Sequence, residues 1–597
     1  NNYMSACAML KSTERRLKKS ASHMELYKQQ IQDMLDRGVA EKIRRDELQC
    51  YEGPIYYLSH HEVMKPDSIS TPCRIVFNAS AKFGGHVLND YWAKGPDLLN
   101  NLLGVLIRFR ENSVAIAGDI RKMYHSVAIS DLDQHTHRFM WRDMENSRRP
   151  DVYKIKCVSF GDKPAGAIAA LALRKTAQLS EDEFPNAAGT IRNNTYVDDI
   201  LGSFASEEEA NQITSQIDSI LRKGGFQVKG WTTSSDNSKT TLQVCPNTHK
   251  TDDNTSKVLG VVWNSKSDTL EFVAKVNFSQ RHRKVRMEPD LTRFDIPQKI
   301  PLILTKRMVL SLVNGIYDPL GLSAPFVVQA KMLLRKLSKL EKMDWDDPIP
   351  EGLRDDWIKF FTLLFGMEQV VFQRSTKPAT ALGEPSLVLF SDASEEAFGA
   401  CAYIRWQLQN GRFQSNLLLA KSRLSPMRRK MTIPRLELNG ALLAARLSKF
   451  VTKESVTPFC KTYFIIDSEI VRAQIQRESY GFNTFTGVRI GEIQELTQKD
   501  DWYWVESAKN IADIISRGAV PSTMGPESEW QRGPSFLEEN ADDWPVKQTY
   551  SGSDLPDQVA SQSSIPNVLL TRVTDDDEAH ITEVIDILRY SSYSKLL

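Results

Sequence analysis

The sequence predicts a multi-domain α/β protein, and three observations carry that reading. At 597 residues the chain is too long for one hydrophobic core, and at about 150 residues per domain it suggests roughly four units. Its 41% hydrophobic and 25% charged residues are ordinary globular usage, which excludes a mostly disordered, collagen-like or membrane-embedded chain. Short β-rich runs alternate with helical stretches from Cys73 to Trp263 and again after Ser386, the pattern of α/β domains. Net charge is +1, yet residues 536–597 hold 12 acids against 4 bases, leaving +9 on the preceding body. A basic body is joined to an acidic tail.

The 7 cysteines are scattered and form no C-x-x-C pair, which argues against a disulfide framework or zinc site and suits a reducing compartment. No apolar run approaches the roughly 18 residues of a membrane span, and there is no signal-peptide pattern. Neither secretion nor membrane association is expected, and a start at Asn1 reads as a piece of a longer polypeptide.

Along the chain, a basic opening (Arg15, Arg16, Lys18, Lys19) precedes Leu26, Tyr27, Ile31, Met34 and Leu35 at helical spacing, ended by Gly38. Arg74–Ser80 and Ser113–Asp119 read as strands. Ser206 and Glu209 form a capping-box pattern before the stripe Ala210, Ile213, Ile217, Ile220 and Leu221, stopped by Gly224 and Gly225. Residues 275–310 hold nine Lys or Arg against three acids, including RHRKVR at Arg281–Arg286, a candidate surface for backbone phosphates. Ser375–Ser386 reads as a linker. After Gly518 the chain turns rich in Pro, Ser and acids, with DDDE at Asp575–Glu578, and a loosely ordered segment is expected.

YVDD at Tyr196–Asp199 falls between strand and turn signals, so two adjacent carboxylates are placed at a hairpin tip. Adjacent aspartates repel, and a divalent cation such as Mg²⁺ relieves them through hard oxygen ligands. The apolar run Val114–Ala117 delivers Asp119 at another strand end. Three such carboxylates could hold two metals for an in-line phosphoryl displacement.

These stretches resemble the reverse transcriptases of LTR retrotransposons, specifically the BEL/Pao group: Tyr56–Ser80, LND with KGPDLL (Leu88–Leu99), Arg108–Val127, RFMW (Arg138–Trp141), Phe160-Gly161, YVDD and LGVVWN (Leu259–Asn264), in family order. The resemblance implies a right-hand polymerase (fingers, palm and thumb) with Asp119, Asp198 and Asp199 as catalytic metal ligands. It further implies Tyr124 as the residue that excludes a 2′-hydroxyl, Arg74 as a contact to the dNTP triphosphate, Phe160, Gly161 and Tyr196 as substrate-binding positions, and Leu259-Gly260 as a primer grip. After Gly161 the chain departs from the family's small or apolar residues and Ser-Pro with Asp162, Lys163, Pro164, Ala165 and Gly166, where impaired activity or processivity is expected.

A second set follows. Leu387–Phe390 leads to Asp392; Thr432 and Pro434 open a helix carrying Glu437; Tyr463–Ile466 ends at Asp467-Ser468; and Trp502–Val505 precedes Asn510 and Asp513. The strings SDAS, TIPRLEL, IDS and NIADIISRG resemble RNase H, which implies that Asp392, Glu437, Asp467 and Asp513 are catalytic metal ligands for two-metal cleavage of RNA in an RNA–DNA hybrid. No histidine lies between His282 and His580, so the catalytic-loop histidine of many such enzymes is missing. Glu506, Ser507 or Lys509 would occupy that loop, and slower product release is expected.

Thr305–Pro325 and Asp344–Pro348 resemble the segment named for a Pao retrotransposon peptidase. No Asp-Thr/Ser-Gly tripeptide occurs, and Asp318 reads as a turn residue rather than a protease carboxylate. The expected division is 1–262 fingers and palm, 263–385 thumb or connection, 386–520 an RNase H-like α/β domain, and 521–597 an acidic linker toward an integrase beyond the chain. The resemblance implies RNA template, DNA primer, RNA–DNA hybrid, dNTPs and other retroelement polyprotein products as partners, two Mg²⁺ (or Mn²⁺) per site, and a cytoplasmic virus-like particle or the nucleus as location. The alternative is a degenerate or co-opted relic that binds nucleic acid without catalysis.

Overall fold

The computed structural model describes residues 2–64, 72–234, 255–279, 281–282, 285–286, 289–296, 298–340, 343–427, 430–548 and 555–559. The side chains of the RHRKVR run, the DDDE stretch and the final ILRYSSYSKLL lie outside the described residues. Among the described residues no helix is long and apolar enough to cross a membrane.

Two helices open the fold where the sequence pattern shows one. The expected helix is α2 (Ala21–Asp36), which buries Tyr27, Ile31 and Met34. It is preceded by α1 (Tyr3–Leu17), whose Ala6, Leu10 and Leu17 are also buried. Charged residues of α1 find partners on distant strands. The fully buried Glu14 takes two bonds from Arg142, and Arg16 pairs bidentately with Glu62. Beside them lies the antiparallel pair β1 (Ser59–Met64) and β2 (Cys73–Asn78).

After α3 (Leu102–Phe109), a four-stranded sheet contains β3 (Val114–Ile120), β4 (Thr195–Tyr196), β5 (Asp199–Phe204) and β6 (Val228–Thr233), in the order β6-β3-β5-β4. Helices α4 (Ala165–Gln178) and α5 (Glu207–Lys223) pack with it into one core. The expected stripe of α5 is the face it buries, and Ser206 Oγ accepts from the Glu209 amide at 3.2 Å. Glu209 reaches back to the Ala205 amide, one residue outside a standard capping box.

The expected boundary at 262 cuts through a strand. β7 (Thr255–Val258) and β8 (Val261–Asn264) form a hairpin continued by β9 (Thr269–Glu271) and by β10 (Phe372–Gln373), which returns from a hundred residues later. Leu259 and Gly260 are its two loop residues, both at positive φ (49° and 86°), as a type I′ turn requires. Between β9 and β10 lie α6 (Lys306–Val313), α7 (Ala324–Ser338) and α8 (Glu351–Leu364).

The third sheet contains β11 (Ala381–Ala393), β12 (Ala397–Leu408), β13 (Phe413–Leu424), β14 (Lys461–Ile466), β15 (Trp502–Val505) and β16 (Val546–Lys547), in the order β13-β12-β11-β14-β15-β16. β11, β14 and β15 run parallel, and the remaining pairings are antiparallel. Helix α9 (Ile433–Glu454) makes the crossover from β13 to β14, and α10 (Thr484–Leu496) packs on it.

Two further expectations are corrected. Ser375–Ser386 is not a free linker: β11 starts inside it, and Thr376 is buried with its amide bonded to the Arg110 carbonyl. Residues 521–548 are not loosely ordered. Trp530 donates to the Leu322 carbonyl at 2.8 Å, Tyr403 donates to the Trp530 carbonyl at 2.9 Å, Phe536 and Trp544 are buried against the third sheet, and β16 extends that sheet.

Candidate active sites

At the first site the sheet register does the assembling. Asp199 on β5 lies directly opposite Asp119 on β3, and Tyr196 on β4 lies opposite Asp199 from the other side. The β4–β5 connection is therefore the two-residue loop Val197-Asp198. Val197 sits at φ 57°, a region that a β-branched residue adopts only where its surroundings hold it. The loop presents Asp198 beside the cross-strand pair, and the Asp198 carbonyl accepts from the Ile120 amide at 2.8 Å. Burial and then the neighbouring aspartates raise both carboxyls of the tip, Asp199 to about 7. Lys229 on β6, which sequence reasoning missed, places Nζ 2.7 Å from Asp119 Oδ1.

The surrounding positions converge on this tip. Tyr124 lies with its ring 4.8 Å from that of Phe160, and burial followed by Asp198 raises its hydroxyl. Arg74, exposed on β2, is close enough to lower the Asp198 carboxyl. Gly161 has φ 111°, and a Cβ there would lie 2.6 Å from the Phe77 carbonyl oxygen of β2, so only glycine fits against β2 here. Its own carbonyl accepts from Asn89 Nδ2 at 2.9 Å. The residues after it have a structural use. Asp162 accepts from the Ser159 amide and pairs with His137 at 3.1 Å, raising that imidazole against its burial, while Trp92 stacks on the ring. The Asp162 departure thus locks the loop that carries Phe160 and Gly161.

At the second site, Ser391 and Ile466 are register partners on the parallel strands β11 and β14. Asp392 and Asp467 follow at adjoining carboxyl ends, where parallel sheets bind ligands. Gly440 lets α9 approach closely, since a Cβ there would be 3.1 Å from the Asp392 carbonyl oxygen. Glu437, one turn earlier, accepts from Ser468 Oγ at 2.5 Å. Asp513 opens the short helix α11 (Asp513–Arg517), which lies over Gly399, the register partner of Asp392. Burial, then Asp467 and Asp513, raise the Asp392 carboxyl to about 6 against a bond from Ser516 Oγ; burial, then Asp467 and Asp392, raise Glu437. Asp392 therefore feels Asp467 and Asp513, and Glu437 feels Asp467 and Asp392.

Asn510 and Ser516 are the supporting residues whose roles sequence reasoning missed. The buried Asn510 donates to the Ser391 carbonyl at 3.0 Å and to Asp467 Oδ1 at 3.1 Å. In the loop expected to replace the missing histidine, Ser507–Lys509 form one 3-10 turn, while Arg517 pairs with Asp513 at 2.5 Å. Asp318 accepts from the Leu322 and Ser323 amides and from Ser323 Oγ, a turn residue at the head of α7.

Among the described residues no group of three His, Cys, Asp or Glu side chains stands ready-made as a metal sphere. The donor chemistry nevertheless fits a hard divalent cation: each cluster offers carboxylate oxygens whose raised carboxyls an ion would relieve.

Residues 89–258 match the family model described as reverse transcriptase (RNA-dependent DNA polymerase). Residues 305–468 match the Pao retrotransposon-like RNaseH-like domain. The chain joins a reverse transcriptase domain to a Pao-type RNaseH-like domain. The second match spans the expected boundary at 385: residues 305–385, expected as thumb or connection, share one family model with Asp392, Glu437 and Asp467. The fold explains why, because α7 packs on β13, with the Ala420 amide donating to the Leu320 carbonyl and the Ala519 amide to the Pro325 carbonyl. No curated protein matches the sequence. Similar solved structures include a foamy viral protease-reverse transcriptase dRH in complex with double-stranded DNA, at 15% identity and TM-score 0.48 over 80% of this chain and 68% of that one. Another is the foamy viral protease-reverse transcriptase in complex with RNA/DNA hybrid, at 14% and 0.47, covering 82% of this chain and 54% of that one.

Proposed function

We propose that the chain is an RNA-directed DNA polymerase with RNase H activity, extending a DNA primer on an RNA template with dNTPs at the palm site and cleaving the RNA of the hybrid at the RNaseH-like site. The observation that carries this is the register that sets Asp119 opposite Asp199, with Asp198 in the adjoining two-residue loop. Asp119, Asp198 and Asp199 would hold Mg²⁺ or Mn²⁺ at the first site, and Asp392, Glu437, Asp467 and Asp513 at the second. When bound, such ions neutralise phosphate charge and activate the attacking oxygen.

The chain's own side chains do the rest. Tyr124, fixed against Phe160, presents bulk where a ribose 2′-hydroxyl would sit. Arg74 offers a guanidinium to the triphosphate, and Gly161 lets the loop that carries Phe160 approach β2 closely. Lys229 pairs with Asp119 at 2.7 Å and so balances one carboxylate of the set that would hold the ions. At the second site, Ser468, Asn510 and Ser516 orient Glu437, Asp467 and Asp392 toward one another.

The test is Mg²⁺-dependent primer extension on a homopolymeric RNA template alongside cleavage of a labelled hybrid. Asp198→Asn should abolish extension and leave cleavage; Asp467→Asn should do the reverse. A folded protein that binds hybrid but neither extends nor cleaves establishes the relic reading instead.

A further inference from the structure

The loop residue Gly260, between β7 and β8, is covered by a ring from the stretch that matches the RNaseH-like model. A Cβ on Gly260 would lie 2.8 Å from Tyr317 Cε1 and 3.2 Å from its Cδ1 and Cζ, so the ring rests on the glycine itself. Tyr317 is nevertheless 50% exposed. Its backbone is fixed from behind: the Asp318 carboxylate holds the Leu322 and Ser323 amides, and the Leu320 carbonyl accepts from the Ala420 amide of β13 at 2.8 Å. An aromatic ring on an anchored turn, half open to solvent, is a preformed platform for a ligand with an apolar face.

The platform stands beside the first carboxylate set. Asp119, Asp199 and Tyr196 are directly opposed across three antiparallel strands, so their side chains share one face of the sheet. Tyr196 packs against the core that contains Leu259, and burial, then Tyr196, raise the Tyr317 hydroxyl. The surroundings suit a polyanion. Lys257 and Lys275 line the same cavity of about 90 Å³ as Gly260 and Tyr317, and burial, then Lys275, lower the Lys257 ammonium. Neither lysine is paired with an acid among the described residues, whereas Glu271 and Asp318 in that cavity are engaged by Asn264 and by the turn. A nucleotide strand presents both an apolar sugar face to the ring and phosphates to the two cations. We propose that Tyr317 is a binding residue of the polymerase site, its ring packing against the deoxyribose of the DNA primer within the last few nucleotides before the 3′ end. The inference deepens and rests on the polymerase half of the function proposed above. It brings into that site a residue beyond the reverse transcriptase match at 89–258.

The experiment follows release of a labelled DNA primer, annealed to an RNA template, from the full chain in EDTA, where neither site turns over. Binding covers roughly 100 Å² of ring surface, so Tyr317→Ala should release the primer about tenfold faster or more. Tyr317→Phe keeps the ring and should release it as wild type does. A 2′-O-methyl group placed on one primer sugar at a time gives the readout that a merely structural role would not move. In wild type it should hasten release at the position under the ring, and in Tyr317→Ala and Tyr317→Leu that position should become silent. Unchanged release from Tyr317→Ala overturns the proposal. So does a loss in Tyr317→Phe equal to that in Tyr317→Ala, or a methyl scan whose pattern the variants leave as it is. Tyr317→Leu keeps an apolar cover on Gly260, so it carries the scan if the alanine chain does not fold. Primer extension by the wild-type chain, lost in Asp198→Asn, checks the polymerase reading separately: its absence sinks that reading, whereas release in EDTA reports on Tyr317.

Discussion

Gly161→Ala tests the joint between fingers and palm. Glycine there has φ 111°, and an added Cβ would stand 2.6 Å from the Phe77 carbonyl oxygen. A backbone conformation reserved for glycine costs about 1–3 kcal/mol in another residue, and here the contact cannot be relieved by a side-chain rotation because the obstacle is backbone. The loop must withdraw from β2, which strains the bond from Asn89 Nδ2 to the Gly161 carbonyl and pulls Phe160 off Tyr124. If 2–3 kcal/mol of this appears as lost positioning of the incoming nucleotide, kcat/KM falls by about 30- to 150-fold, at 1.36 kcal/mol per decade. Single-nucleotide incorporation on an RNA template reads it, with hybrid cleavage as the internal control, since Gly161 touches none of the second cluster. Incorporation within threefold of wild type would refute the reasoning.

Asn510→Ala removes the donor shared by Ser391 and Asp467, and hybrid cleavage should fall about 10- to 100-fold, as for other residues that orient ligands, with primer extension unchanged. The raised carboxyls set a pH dependence. Asp392 and Asp199 keep their protons to about 6 and about 7 in the folded, metal-free chain but release them near 3.8 when unfolded. The native state therefore binds more protons between these values, so thermal stability in EDTA should fall as pH rises from about 4 to about 7. Mg²⁺ must displace the same protons, so its stabilising effect should grow across that window, which melting curves with and without the ion will show. Arg374→Met breaks the pair with Asp268 and the bonds to the Phe109, Asn112 and Ser113 carbonyls, all made by a side chain with no exposure. Such a loss costs about 3–5 kcal/mol, and chemical denaturation should register it as a lower midpoint.

Asp119, Asp392 and Asp467 were legible as strand-end acids because each follows an apolar run: Val114–Ala117, Leu387–Phe390 and Tyr463–Ile466. Singly each reads equally as a cap or turn residue, and the ordered motifs that resemble the two enzyme families set them, with Asp198, Asp199, Glu437 and Asp513, as one candidate set. What stayed hidden depends on partners far away in sequence. Helix α1 looked like a basic segment because Glu14 and Arg16 are neutralised by Arg142 and Glu62. Residues 375–386 had a linker's composition, yet Thr376 is held by the Arg110 carbonyl. Trp530, Phe536 and Trp544 are separated by polar residues and show no period, so the order of 521–548 arises only when each finds its own place against the third sheet. The contact of Asp162 with His137 joins residues 25 apart in sequence and left no signal there. Lys229 carried no signal at all, because its use depends on β6 pairing with β3.

The account depends most on two sets of dispersed acids each taking up a divalent cation. Anomalous diffraction from crystals soaked in Mn²⁺ addresses this directly: peaks should appear among Asp119, Asp198 and Asp199, and separately among Asp392, Glu437, Asp467 and Asp513, with the first lost in Asp198→Asn and the second in Asp467→Asn. Well-ordered crystals with manganese bound elsewhere and neither cluster occupied would contradict it.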